Sequence, residues 1–178
     1  MSGRIAAFLD RDGTINVKAP EGDYITRVED VIILPGVARA ISRLNQVGVL
    51  VVVVTNQRGV SLGRMSIDDV ERIHTRICEV LALHGARIDM FLFCPHGYDT
   101  CDCRKPQPGL IFQAAARRDD IDLAKSVMIG DSPTDVAAGA AAGVTTIHVG
   151  GGAAGADFEC DDLEQAVDLV LTSIISNH

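Results

Sequence analysis

Two carboxylates lie one residue apart at the end of an apolar run near the start of the chain. The run at residues 5–9 has the length and bulk of a buried parallel strand, and Asp10, Asp12 and Gly13 follow it at once. Open α/β sheets bind ligands at the carboxyl ends of their strands. A carboxylate pair at that place suits Mg²⁺, which leaves positions for phosphate oxygens, and it suits catalysis through an aspartyl-phosphate. Taken alone, the Asp-x-Asp tripeptide at 10–12 is more typical of a turn in which both carboxylates are solvated.

Three more groups of polar residues stand at the ends of predicted elements. Thr55 and Asn56 follow the apolar run at 49–54, Asp131 follows the run at 126–129, and Arg104 and Lys105 precede a helix. Each has an ordinary alternative, because a lysine is most often a solvated surface residue and a threonine or aspartate often caps a helix. Together they supply what a phosphomonoester reaction needs: a nucleophile, a cation, hydrogen-bond donors around the phosphoryl oxygens and an acid for the leaving oxygen.

The elements that must position these residues alternate along the chain. Apolar runs predict strands at 5–9, 49–54, 88–93, 126–129 and 144–149, and periodic or capped segments predict helices at about 36–48, 66–84, 108–118, 134–142 and 163–175. The polar stretch at 13–34 is too long for a simple turn, so we expect a flap over the end of the first strand. The alternation predicts an α/β fold, a Rossmann-like three-layer sandwich with a central parallel sheet, in a single domain at 1–178.

Composition argues against several classes of protein. The 178 residues, 47% of them hydrophobic, fit one α/β domain, and no apolar run approaches the length of about 18 residues that a transmembrane helix needs. The first strand follows the amino terminus too closely for a signal peptide, so we expect a cytoplasmic protein. A net charge of −8 and few aromatic residues argue against a nucleic-acid-binding surface. We expect a monomer that acts on a small molecule, with no nucleic acid or membrane as partner.

A cluster of metal-ligating residues lies just before Arg104 and Lys105. Cys94, His96, Cys101 and Cys103 fall within ten residues, and three thiolates with one imidazole fit a closed tetrahedral zinc site. The alternative is a set of reduced cysteines, with at most one disulfide. Because the protein fills all four positions, the zinc would be structural, and it would fold the loop that carries the arginine and the lysine.

The order of these motifs resembles that of the haloacid dehalogenase superfamily of phosphohydrolases. Asp-x-Asp-Gly-Thr comes first, then Thr-Asn, then Lys-Pro and then Gly-Asp-x-x-x-Asp, and the resemblance spans residues 4 to about 150. It implies that Asp10 is the nucleophile and that Asp12 protonates the leaving group and later activates water. It also implies that Mg²⁺ is held by the Asp10 carboxylate, the Asp12 backbone carbonyl and Asp131.

The same resemblance assigns the residues around the phosphate. Thr55 and Lys105 match residues that hold the phosphoryl oxygens, and we expect Asn56 to bind the substrate phosphate beside them. Asp135 matches an acidic position that supports the metal ligands without binding the metal itself. The expected cofactors are therefore a catalytic Mg²⁺ and a structural Zn²⁺.

The segment CPHGYDTCDCRKPQPG narrows the resemblance to one branch of the superfamily, the histidinol-phosphatase-like group. The short chain matches the compact form of that branch, so we expect a capless fold with a short flap and a zinc-binding loop. Arg104 matches a residue that helps to choose the substrate. Arg58 stands where a small residue is usual, and it is either a solvated loop side chain or an extra cation for a second phosphate.

The implied function is Mg²⁺-dependent removal of the C7 phosphate from a heptose 1,7-bisphosphate, in the biosynthesis of nucleotide-activated heptose. Histidinol phosphate is the alternative substrate, because enzymes that act on it share the loop and the motifs. A phosphatase of nucleic-acid 3′ ends would need a basic surface that this chain lacks. A catalytically silent phosphate-binding protein on the same fold is a further alternative. The presence together of Asp10, Asp12, Thr55, Lys105 and Asp131 argues against it.

Overall fold

A six-stranded parallel sheet forms the centre of the molecule. We describe residues 3–152 and 155–174 from a computed structural model. The strands lie in the order β3-β2-β1-β4-β5-β6, and every neighbouring pair is parallel. Their bounds are β1 Ala6–Leu9, β2 Leu50–Asn56, β3 Met90–Cys94, β4 Val127–Gly130, β5 Thr145–Val149 and β6 Phe158–Cys160. The predicted α/β class with a central parallel sheet is confirmed.

Helices cover both faces of this sheet, which explains why its central strands are apolar throughout. Alternate residues of β1 point to opposite faces, so Ala7 and Leu9 belong to one apolar cluster while Ala6 and Phe8 belong to the other. Residues of α1, α2 and α5 pack in the first cluster, and residues of α3 pack in the second. The helices are α1 Val37–Gln46, α2 Ile67–Ala82, α3 Gly109–Arg117, α4 Pro133–Ala142 and α5 Leu163–Leu169.

The last part of the chain differs from the sequence expectation. Strand β6 at Phe158–Cys160 was not predicted, because it is short, its first two residues are exposed, and it forms only by pairing with the edge of β5. The predicted helix at 163–175 is an α-helix only to Leu169, and Val170–Ile174 continue as a wider π-helical turn. Residue 175, the last of the predicted helix, lies outside the described residues, as do residues 153 and 154.

The connection from β1 to α1 forms a flap that is tied to the end of β1. The amide of Val17 donates to the carbonyl of Ile32 at 2.8 Å, and the amide of Leu34 donates to the carbonyl of Ile15 at 3.0 Å. One turn of 3₁₀-helix, Val28–Asp30, lies inside this segment. Among the described residues, no helix is both long and apolar enough to cross a membrane.

Helix α4 approaches the sheet so closely that one of its residues has no room for a side chain. A Cβ atom at Gly139 would lie 2.7 Å from the Cβ of Met128 on β4 and 2.8 Å from Cγ2 of Thr146 on β5. Neither of these atoms is the free end of a flexible side chain. The glycine therefore sets the distance between this helix and the strands that it covers.

We predict that Gly139→Ala destabilises the protein. In an open helix the substitution stabilises by about 1 kcal/mol, because glycine is a poor helix former. Here the overlap with Met128 and Thr146 reverses the sign, and we expect a loss of about 1–3 kcal/mol from overpacking. Denaturant unfolding of both proteins measures the difference, and a more stable variant would contradict this account of the packing.

Candidate active site

Asp10 lies at the carboxyl end of β1 and is bound to a buried lysine. Its backbone amide donates to the carbonyl of Ile129 at 3.0 Å, which holds the end of β1 against β4. The Lys105 Nζ atom lies 2.7 Å from Asp10 Oδ1 and 2.6 Å from Asp135 Oδ1, and it donates to the Val54 carbonyl at 2.8 Å. Lys105 is only 4% exposed. One ammonium group thus joins residues from the carboxyl ends of β1 and β2 and from the first turn of α4.

Burial disfavours the charged form of both members of this pair, whereas each member favours the charged form of the other. Burial and the neighbouring Asp135 carboxylate raise the pKa of Asp10 to about 7, although Lys105 acts to lower it. For Lys105, burial disfavours the ammonium form, but the carboxylates of Asp10 and Asp135 outweigh it and raise the pKa above the ordinary value. A divalent cation beside Asp10 would favour its ionised form, which is the nucleophilic one.

Three carboxylates converge where a hard cation could bind. One carboxylate oxygen from each of Asp10, Asp131 and Asp135 lies within 4.8 Å of the other two. Two glycines leave the space for this approach, because a Cβ atom at Gly13 would overlap the Asp131 carboxylate and one at Gly130 would overlap Asp135. Gly13 also has a φ of +95°, which a residue with a side chain rarely adopts. The all-oxygen donor set fits Mg²⁺.

The flap contributes a cation to the same cluster. The Lys18 Nζ atom lies 2.6 Å from Asp131 Oδ2, while 64% of the lysine side chain remains exposed. The hydrogen bond to Asp131 and the charge of that carboxylate raise the pKa of Lys18. This contact brings the flap to the edge of the carboxylate cluster.

Asp12 is held by hydrogen-bond donors from three side chains. Arg11 donates to both of its carboxylate oxygens, at 2.8–3.1 Å, while Asn16 Nδ2 donates to Oδ1 and Gln57 Nε2 to Oδ2, each at 2.9 Å. Burial acts to raise the pKa of Asp12, but the Arg11 charge and these hydrogen bonds outweigh it and lower the pKa. The Gln57 amide also donates to Thr55 Oγ1 at 2.9 Å, so it links Asp12 to the end of β2.

The structure brings most of the predicted site residues around one cavity of about 240 Å³. Its lining includes Asp10, Asp12, Thr55, Asn56, Lys105 and Asp131. Asn56 binds the backbone of Lys105 twice, because its Oδ1 accepts from the lysine amide and its Nδ2 donates to the lysine carbonyl, both at 3.0 Å. It also lines a cavity of about 470 Å³ under the flap and one of about 370 Å³ beside Arg104. A cleft of about 530 Å³ on α1 and α2 shares no residue with this site.

Arg58 and Arg104 lie farther out, and both contact the ring of Tyr98. Their guanidinium carbons are 4.2 Å and 4.7 Å from the centroid of the Tyr98 ring. Arg58 Nε also donates to the hydroxyl of Tyr24 on the flap at 3.2 Å. The Nη1 atom of Arg104 is buried and has no hydrogen-bond partner. These contacts join the flap, the loop after β2 and the cysteine-rich loop into one rim.

Cys94, His96, Cys101 and Cys103 form a compact cluster next to this rim. The sulfur atom of Cys101 lies 3.5 Å from that of Cys94 and 3.4 Å from that of Cys103, and His96 Nδ1 lies 3.4–3.5 Å from the sulfurs of Cys94 and Cys103. Four ligands bound tetrahedrally to zinc at the usual bond lengths stand about 3.5–3.8 Å apart. All five cysteines are free, so the cluster contains no disulfide. The geometry and the donor set fit zinc.

Several residues that hold the site together could not be identified from the sequence. Arg11 lies inside the Asp-x-Asp-Gly-Thr motif and Gln57 directly follows the Thr-Asn motif, but their spacing does not indicate which carboxylate they bind. Tyr24 and Tyr98 are isolated aromatic residues in loops, and no pattern in the sequence marks them.

Comparisons with known proteins agree with this geometry. A HAD-hydrolase-like family model matches residues 102–176. A D-glycero-beta-D-manno-heptose-1,7-bisphosphate 7-phosphatase of Rhodopseudomonas palustris is 40% identical over 176 residues, which cover 94% of this chain and 91% of the relative. A D-glycero-alpha-D-manno-heptose-1,7-bisphosphate 7-phosphatase of Mycobacterium tuberculosis is 41% identical over 164 residues, which cover 88% of this chain and 86% of the relative.

Solved structures give the same result. The crystal structure of a D,D-heptose 1,7-bisphosphate phosphatase from B. bronchiseptica, complexed with magnesium and phosphate, superposes with a TM-score of 0.85 at 35% identity. The match covers 94% of this chain and 98% of that one. The corresponding phosphatase from Burkholderia thailandensis superposes with a TM-score of 0.72 at 30% identity, over 96% of this chain and all of that one. This chain therefore belongs to the haloacid dehalogenase superfamily, in its family of D-glycero-D-manno-heptose-1,7-bisphosphate 7-phosphatases.

Proposed function

We propose that this chain is a Mg²⁺-dependent phosphatase that removes the C7 phosphate from D-glycero-D-manno-heptose 1,7-bisphosphate. The observation that carries this function is the Asp10 carboxylate, which lies in a cavity with Lys105, Asp12 and the acidic cluster. The names of the relatives supply the substrate, and the B. bronchiseptica enzyme was crystallised with magnesium and phosphate. Since these relatives are named for both anomers, the anomer is a matter for measurement.

In the first step, Asp10 attacks the phosphorus atom of the C7 phosphate. The bond between phosphorus and the sugar oxygen breaks, an aspartyl-phosphate forms on Asp10, and the sugar oxygen takes a proton from Asp12. Asp12 rests in its ionised form in the structure, but a phosphate dianion beside it raises its pKa, because like charges disfavour the ionised carboxylate.

In the second step, the ionised Asp12 takes a proton from water. The water oxygen bonds to phosphorus, the bond to Asp10 breaks, and inorganic phosphate leaves. In this proposal Thr55, Asn56 and Lys105, which line the same cavity as Asp10, hold the phosphoryl oxygens during both steps. Mg²⁺, held by the carboxylates of Asp10 and Asp131 and by the Asp12 backbone carbonyl, would supply positive charge to those oxygens.

The second phosphate of the substrate gives Arg58 and Arg104 a role. In this proposal, a bisphosphate with one phosphate at Asp10 extends its other phosphate toward the rim, where both guanidinium groups lie against the Tyr98 ring. Arginine suits this contact, because its planar fork binds two phosphate oxygens at once. The buried Nη1 atom of Arg104, which lacks a partner, is available for such a bond.

The cysteine-rich loop has a structural role in this scheme. Zn²⁺ bound by Cys94, His96, Cys101 and Cys103 would fix the loop that leads directly to Arg104 and Lys105. The net charge of −8 supports action on a small molecule without nucleic acid. We propose a cytoplasmic monomer that needs no membrane.

Asp10→Asn should abolish phosphate release while the fold survives. The amide nitrogen of asparagine cannot form an acyl-phosphate, whereas the substituted side chain has nearly the same size. Phosphate release from the heptose bisphosphate measures the effect, thermal unfolding checks the fold, and beryllium fluoride should trap only the wild type. Asp68→Asn on the exposed start of α2 is the matched control and should keep full activity. Normal turnover by the Asp10→Asn variant would rule out the aspartyl-phosphate mechanism.

The purified protein should contain about one zinc ion per chain. Cys101→Ser should lower the zinc content, the thermal stability and the activity together, because the same loop carries Lys105. Cys78→Ser on α2 is the matched control and should retain the zinc. Elemental analysis gives the metal content. A zinc-free protein with full activity would show that the site does not depend on zinc binding in the loop.

Arg104→Ala should lower kcat/KM for the heptose bisphosphate by about 10- to 150-fold, which corresponds to the loss of one charge-assisted contact of about 1.5–3 kcal/mol. Hydrolysis of a simple aryl phosphate should change much less, because it carries no second phosphate. Arg58→Ser should act in the same direction with a smaller effect, and Arg39→Ala on α1 should change neither substrate. Equal losses of kcat/KM for both substrates would mean that the arginines have only a structural role. A higher kcat/KM of the wild type for histidinol phosphate than for the heptose bisphosphate would overturn the proposed substrate.

A further inference from the structure

The side chain of Arg11 is fully buried, although it carries a permanent charge and lies between two carboxylates of the site in sequence. Its exposed fraction is 0%, and it is among the largest of the fully buried side chains in the described part of the chain. The guanidinium group donates from Nε to Asp12 Oδ1 at 3.1 Å and from Nη2 to Asp12 Oδ1 and Oδ2 at 2.9 Å and 2.8 Å. A buried charge is costly without a partner. Arg11 therefore keeps the Asp12 carboxylate in contact with it.

The other end of the guanidinium group contacts a histidine of α2. Arg11 Nη1 lies 3.5 Å from Nε2 of His74, which is 6% exposed. The His74 ring is stacked on Phe91, with centroids 4.2 Å apart and an angle of 18° between the planes. Burial and the charge of Arg11 lower the pKa of His74 to about 3, so the ring is neutral and has a nitrogen that can accept a hydrogen bond. Helix α2 and strand β3 thus hold the ring that supports the arginine.

The donors around Asp12 leave its carboxylate one orientation. Arg11, Asn16 and Gln57 make five hydrogen bonds with its two oxygens, and rotation of the carboxylate would break several of them. The side chain keeps 27% of its surface exposed, and Asp12 lines the cavity that also contains Asp10. A general acid must hold its proton within hydrogen-bond distance of the leaving oxygen, and a displacement of about 1 Å can cost about 100-fold in rate.

We propose that Arg11 is a positioning residue that acts through Asp12, and that His74 holds the guanidinium group in place. Arg11 does not touch the substrate in this role; it fixes the direction in which the Asp12 carboxylate faces the cavity. This role rests on the proposed function, since it requires Asp12 to transfer a proton. The alternative is that Arg11 is only a buried structural cation.

The test compares kcat/KM for two substrates with different leaving groups. An alkyl phosphate leaves as an alkoxide and needs a proton, whereas nitrophenyl phosphate leaves as a stable phenolate and needs little help. Because kcat/KM reports the steps up to phosphoryl transfer to Asp10, the comparison isolates the proton donor. Arg11→Lys keeps the charge but lacks the planar fork. We expect it to lower kcat/KM for the alkyl phosphate about 10- to 100-fold and to change that for nitrophenyl phosphate by less than about threefold.

Two further variants separate positioning from structure. Arg11→Lys should have no additional effect on the ratio of the two kcat/KM values in an Asp12→Asn background, because no proton donor remains to be oriented. His74→Phe keeps an aromatic ring on Phe91 but removes the acceptor, and it should shift the ratio in the same direction by a smaller factor. It also provides the test if Arg11→Lys does not fold. Arg76→Lys on the exposed face of α2 is the matched control and should leave the ratio unchanged.

The outcomes distinguish this role from the proposed function. The positioning role is wrong if Arg11→Lys and His74→Phe lower kcat/KM equally for the two substrates. It is also wrong if Arg11→Lys still changes the ratio of the two kcat/KM values in the Asp12→Asn background. In both cases the phosphatase assignment stands. If the single variant Asp10→Asn stays active, the aspartyl-phosphate mechanism fails whatever Arg11 does. The comparison uses a simple alkyl phosphate, so a different sugar substrate would not affect it.

Discussion

The ammonium group of Lys105 is buried between the carboxylates of Asp10 and Asp135, and the arrangement of the site depends on this contact. A charge in such a place must be paired, so the residues that pair with it cannot move independently. Asp10 comes from β1, Asp135 from the start of α4, and the Val54 carbonyl from β2. The lysine itself follows Cys103 by two residues. The position of the candidate nucleophile therefore depends on both the sheet edge and the cysteine-rich loop.

Much of the fold was predictable because buried parallel strands are continuous apolar runs. The five strands that carry such runs lie within two residues of their predicted starts and ends. Helix α2 begins one residue after its predicted start, where Ser66 and Asp69 form a capping box. Strand β6 has no such run, and its formation depends on the free edge of β5 and not on its own residues. The early end of α5 likewise has no signal in the sequence, since the apolar residues of 170–174 are compatible with a longer α-helix.

Some residues of the site could likewise be predicted from the sequence, and others could not. Asp10, Thr55 and Asp131 could be expected to lie together, because the carboxyl ends of β1, β2 and β4 share one edge of the sheet. The contact between Arg11 and His74 joins residues 63 positions apart, and it depends on how α2 packs on β3. The rim of Tyr24, Arg58 and Tyr98 depends on where three loops meet. Local patterns in a sequence do not encode such encounters, although they supply the residue types.

The crowding of Asp10, Asp131 and Asp135 has a thermodynamic consequence. The folded chain holds three acidic groups with oxygens within 4.8 Å of one another, whereas the unfolded chain separates them. A divalent ion that binds there binds the folded state selectively, so the free energy of unfolding becomes a function of the free ion concentration. At one hundred times the dissociation constant, this linkage amounts to about 2.7 kcal/mol. The same glycines that let the carboxylates approach one another, Gly13 and Gly130, thus make the stability of the fold depend on the ionic composition of its surroundings.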